Sequence, residues 1–140
     1  MSTTVEGSAV ATTTRVHNRQ RVTTVGLAMV VGLVGWAIAR LAAGPLSAHM
    51  GPSGPLVEVT VLGAGMASAL VGFLGWGVLT MLEHTRRPRS TWIAIASVVL
   101  LLSFGGPLGA VGTGAVVALL CLHVAVGAVL IVGLARTTER

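Results

Sequence analysis

The sequence predicts an all-α fold, a four-helix transmembrane bundle with both termini on the cytoplasmic side and two outward-tipped helical hairpins. Three observations carry this. Mean hydropathy is +0.90, with 54% apolar and 9% charged residues, too little polar surface to cover a soluble domain. Residues 22–43, 59–82, 91–110 and 113–135 each reach the roughly 20 apolar residues that cross about 30 Å of hydrocarbon. The basic residues, all arginine, alternate along the chain. Arg15, Arg19 and Arg21 precede the first span, Arg86, Arg87 and Arg89 fill the second connection, and Arg136 and Arg140 follow the fourth span. The first and third connections hold none, which by the positive-inside rule puts both termini in the cytoplasm.

In chain order, residues 1–20 are rich in threonine and small side chains without an apolar period, and are expected to form a disordered cytoplasmic tail. The membrane domain is then 21–136. A cleaved signal peptide competes for this region, because Arg21 leads into an apolar core and Ala37-Ile38-Ala39 suits a signal peptidase. The apolar stretch runs on past that point, which favours a span. The connection GPLSAHMGPSGP carries Gly-Pro at 44–45, 51–52 and 54–55, which ends the first helix and delays the next until about Leu56. An ordered turn or short outer cap is expected there.

Short patterns recur. Arg19-Gln20-Arg21-Val22-Thr23 leads into span one as Arg87-Pro88-Arg89-Ser90-Thr91 leads into span three, and Gly44-Pro45-Leu46 ends the first as Gly106-Pro107-Leu108 ends the third. Two hairpins of one orientation, related by duplication, would give this pattern, and so would independent solutions to the same demands. Span three is the shorter, about 25 Å of helix at 1.5 Å per residue. Its irregular end at Gly105-Gly106-Pro107 would then lie at membrane depth, where protein or a water-lined cavity must cover it. A shallow outward pocket above span three is the expectation.

Val31-Gly32-Leu33-Val34-Gly35-Trp36 echoes Val71-Gly72-Phe73-Leu74-Gly75-Trp76. Gly32, Gly35, Gly65, Ala69, Gly72 and Gly75 offer small-residue faces through which spans one and two are expected to pack closely. Trp36, Trp76 and Trp92 read as interfacial anchors.

Among chemically capable groups, His123 stands about 15 Å into span four, near the midplane. An ionisable group at that depth marks function by default, while a neutral imidazole can also be held by one or two hydrogen bonds. Ser68, Ser97 and Ser103 are the partners of matching depth, forming with it a candidate intramembrane polar site; each hydroxyl can instead bond back to its own helix. His17, His49 and His84 lie at or beyond the interfaces, so a metal or haem site would need two copies of His123 in a symmetric dimer. No catalytic set, metal site or cofactor is expected. Arg40 and Glu58 flank the first connection as a candidate outer ion pair, or as a carboxylate at a pocket mouth. Glu83, His84 and the adjoining arginines read as a solvated inner turn that attracts anionic lipid, worth about 1 kcal/mol per arginine. Cys121, alone in an apolar run, reads as a small buried hydrophobe and excludes a disulfide framework. The basic balance comes from a few arginine clusters, so nucleic acid is not an expected partner.

The stretches VGFLGWGVLTMLEHTRRPRSTW, LLSFGGPLGA and LHVAVGAVLIVGL resemble a family of small, uncharacterised four-span membrane proteins from actinobacteria. The resemblance covers the chain from about Arg19 to Arg136 and departs at Val132, where the family pattern has proline. It implies a four-helix fold and a bacterial inner membrane, and no activity. The functional expectation is a noncatalytic multi-pass membrane protein, structural or partner-binding, with the bilayer, a membrane protein or a homo-oligomer as its partners. The alternative is a small transporter or lipid-binding module whose pocket opens outward near His123.

Overall fold

In a computed structural model of the protein, residues 3–49 and 54–138 are described, their side chains from residue 18 onward. Helix α1 covers Thr3–Ala43, α2 Val61–Leu82, α3 Pro88–Ser103, α4 Gly105–Leu108 and α5 Thr113–Ala135. Strands β1 (Ser47–His49) and β2 (Leu56–Glu58) lie between α1 and α2, and a 3-10 turn, Arg136–Thr138, follows α5. Four helical segments, Asn18–Ala43, Val61–Leu82, Pro88–Leu108 and Thr113–Thr138, are long and apolar enough to cross a membrane.

Local chemistry sets the ends. Gly44 adopts φ +75°, open to a residue without a β-carbon, and its N–H bonds the Arg40 carbonyl at 3.1 Å, closing α1 in a left-handed cap. Thr60 caps α2 by accepting from the Gly63 N–H at 3.1 Å. Pro88 occupies the first turn of α3, where its missing N–H costs nothing. Upstream, α1 continues to Thr3 through the segment for which composition predicts a disordered tail. A helix already nucleated by a span lengthens one residue at a time without a new nucleus, a cooperativity that composition does not register. Gly51 and Pro52 of the first connection lie outside the described residues.

β1 and β2 pair antiparallel with Ser47 opposite Glu58, Ala48 opposite Val57 and His49 opposite Leu56. Ala48 also bridges Ala110, His49 N–H donates to the Gly109 carbonyl at 3.0 Å, and Val111 N–H donates to the Ser47 carbonyl at 2.9 Å. The first connection thus forms a cap over the end of span three. α3 alone has 16 residues, about 24 Å, and with the turn of α4 the third apolar segment reaches 21 residues, close to the 22 of α2, and not the shorter span expected. Over that end, where an outward pocket was expected, β1 and the single turn of α4 bond the backbone around Gly109 and Val111. Leu46 and Pro107 are fully buried beneath.

α1 packs along both α5 and α2, and α3 leans mainly on α5. The buried side chains form two small clusters. Ala39, Leu46, Ala115 and Leu119 lie at the hairpin end, joined by Trp36 and Val59. Leu79, Trp92, Leu134 and Ala135 lie at the arginine end. Between them the helices touch through glycines, which permits close approach where apolar burial gives no drive.

Candidate functional site

The glycine faces divide among several seams. A β-carbon on Gly32 would collide with Ser68 Oγ, one on Gly65 would come 3.1 Å from Leu33, and one on Gly72 would come 2.9 Å from Val25, so these three close α1 against α2. Gly35 meets Leu122 of α5, and Gly75 meets Trp92 of α3 at 3.0 Å and Leu134 of α5 at 3.4 Å. Both therefore serve contacts other than the expected one between spans one and two. Ala69 is half-buried on α2. Gly127 against Leu100 at 2.7 Å, and Gly133 against Thr24, tighten α5 against α3 and α1. These two were not singled out from sequence, because glycines scattered in an apolar helix look alike until the neighbouring helices are placed.

His123 bonds within its own helix. Its Nδ1–H donates to the Leu119 carbonyl at 2.8 Å. The carbonyl is only an acceptor, so that nitrogen carries a proton. Ser68 donates to the Ala64 carbonyl at 2.8 Å and Ser103 to the Leu100 carbonyl at 2.7 Å. Ser97 makes no hydrogen bond with the ring. The candidate polar site is therefore a set of residues at similar depth, each hydroxyl bond being local, and not a network. Among the described residues no three of His, Cys, Asp and Glu come together as metal ligands would.

At the hairpin end Arg40 Nη2 meets Glu58 Oε1 at 3.3 Å, an ion pair across α1 and β2. The side chains are 38% and 53% exposed, which limits the pair to about 0–1 kcal/mol. Trp36 Nε1–H donates to the Val59 carbonyl at 2.6 Å and clamps α1 to the same hairpin. His49 Nδ1–H donates to the Gly54 carbonyl at 3.1 Å across the connection.

At the arginine end an ion pair appears that sequence reading missed. Arg21 is 4% exposed, and its guanidinium pairs with Glu83 at the end of α2 while Nε–H reaches Thr137 Oγ1 at 3.3 Å. Thr137 in turn donates to the Leu134 carbonyl at 2.7 Å. Glu83 thus belongs to a tie between α1, α2 and the chain after α5, rather than to a purely solvated turn. The available signal was one carboxylate among arginines at adjacent helix ends. Trp92 is 4% exposed and donates to the Ile131 carbonyl at 3.2 Å, so it is a core residue and not an interfacial anchor. Trp76 stacks on Phe73 with centroids 6.3 Å apart.

A groove of about 780 Å³ lies on the outside of the α1–α5 seam. It runs from Val30 to Ala43 on α1 and from Ala125 to Thr113 on α5. Cys121 is exposed on its wall, not buried. His123 does not line it, so the concavity is not the pocket expected near that residue.

The sequence profile of one family, described as a family of unknown function (DUF6069), matches residues 12–140. No curated protein and no solved structure matches the chain.

Proposed function

We propose, for a chain that belongs to the family of unknown function DUF6069, a noncatalytic role as a multi-pass protein of a bacterial inner membrane with both termini in the cytoplasm. It works by binding partners within and at the faces of the bilayer. The observation that carries this reading is where the polar side chains are engaged. Arg21 with Glu83 and Arg40 with Glu58 tie elements together, while Ser68, Ser103 and His123 return to their own helices. Their chemistry is spent on assembly, and the recognising surface is the outside of the helices. Membrane-protein partners or further copies of the chain meet that surface laterally, and the arginines at 86, 87 and 89 draw anionic lipid headgroups at the cytoplasmic face.

The alternating arginines support the orientation, and the resemblance in the Arg87–Trp92 and Gly105–Leu108 regions supports the bacterial membrane. The test compares wild type with His123→Leu in proteoliposomes and in cells. Partner recovery and the phenotype of a deletion should be the same for both, with the variant remaining folded. A solute flux or turnover that His123→Leu abolishes in a folded protein would replace this reading with a transporter or an enzyme.

A further inference from the structure

We propose that the groove on the α1–α5 seam is a binding site for one phospholipid, its acyl chain lying along the groove and its phosphate at the amino-terminal end of α5. The inference rests on the membrane embedding proposed above and not on the absence of catalysis. The groove's length selects the occupant. From Val30 to Ala43 it extends about 20 Å at 1.5 Å per residue, starting where the helices end and stopping near mid-membrane. One leaflet contributes about 15 Å of the hydrocarbon core, so an acyl chain with its ester region fills this depth. A transmembrane helix of another protein needs a face through both leaflets, about 30 Å. Below the groove the seam is closed by Val126 against Gly32 and by Thr24 against Gly133.

The polarity of the groove follows that of a lipid. Its walls are aliphatic, from Val34 and Ile38 on one side to Val117 on the other, apart from the Cys121 thiol. Its polar end is Thr113, the first residue of α5, next to Gly114. That helix starts at Gly112 with no side-chain cap and no acidic residue in its first turn. Unbonded N–H groups and the positive end of a 23-residue helix therefore face the place where a phosphate would sit. Gly112 holds φ +91°, and it, Thr113 and Gly114 are exposed, so no side chain shields these donors.

The full-length protein is reconstituted into phosphatidylglycerol vesicles containing a trace of the same lipid with a photoactivatable group midway along one chain, and labelled peptides are mapped. Labelling should concentrate at Val34, Ile38, Val117 and Cys121 over the equally exposed Leu70, Leu74 and Val98. Ala42→Phe, which fills the groove from an exposed position, should reduce groove labelling about tenfold or more, a difference of the size that losing a fitted site produces. Thr113→Asp places a charge favourable to the helix dipole in the first turn of α5, so it should fold at least as well as wild type yet lower labelling roughly fivefold by repelling phosphate. Uniform labelling of all lipid-facing helices, or groove labelling unmoved by both variants in folded protein, overturns the site and leaves the membrane embedding intact. A second polypeptide cross-linked in the groove also overturns it, in favour of a dimer. No labelling on any helix overturns the embedding itself.

Discussion

At Arg21 a guanidinium that the sequence marks only as an orientation signal is a buried strut between three chain segments. Removing its carboxylate leaves a charge without its partner, and the cost of that exceeds the cost of losing an exposed pair. Glu83→Ala is expected to destabilise the detergent-solubilised protein by about 2 kcal/mol, below the full penalty for a buried pair because Glu83 is itself 40% exposed. Glu58→Ala, at the solvated outer pair, should cost about 0–1 kcal/mol. Thermal unfolding of both variants side by side checks the ranking, and equal effects would deny Arg21 its structural part. His123→Leu removes a single intrahelical bond and is expected to cost no more than about 1 kcal/mol, measured the same way. A much larger loss would mean that the ring supports more than its own helix.

Seams between helices depend on which glycines face a neighbour, a property of helix pairs. A β-carbon at Gly72 would press on Val25 at 2.9 Å, whereas one at Gly77 meets nothing within 4 Å. Gly72→Ala should therefore destabilise by about 1–3 kcal/mol through overpacking. Gly77→Ala should be neutral or stabilise by up to about 1 kcal/mol, since alanine favours the helix. Opposite signs in the same assay are the expected outcome. The hairpin cap over α3 makes a second prediction at this scale. Leu108 and Val111 remain 67% and 55% exposed at the rim of that cap. On a Cys121→Ala background, Leu108→Cys and Val111→Cys should react with an impermeant thiol reagent added outside intact cells. Labelling only after the membrane is opened would place the cap on the cytoplasmic side.

For the molecule as a whole, the arrangement of four spanning-length helices was legible because it follows from one requirement. Backbone polar groups in hydrocarbon must be satisfied within the segment, so length and apolarity suffice to locate the spans. The break in the third apolar run was legible as well, since Gly105-Gly106-Pro107 marks the point where α3 gives way to the turn of α4. An ordered first connection was legible too, but its seat over the end of span three was not, because that depends on β1 reaching a segment some sixty residues later in the chain, between Ala48 and Ala110. A reporter fused after Arg140 should be active only in its cytoplasmic form, and the reverse result would overturn the proposed orientation.

The sequence alone determined that four helices are long and apolar enough to span, that Arg40 and Glu58 flank the first connection, and that small-residue faces are present. Each of these follows from composition or from residues close to a helix end. Tertiary structure decided which helix each glycine meets, that Trp92 and Arg21 are interior, that His123 bonds to Leu119, and that a groove runs along α1 and α5. The physical reason is that hydrocarbon specifies each helix singly, through its length and its own hydrogen bonds. Rotation and partner choice are set only by the fit of side chains between helices, and that fit exists only once the helices have met.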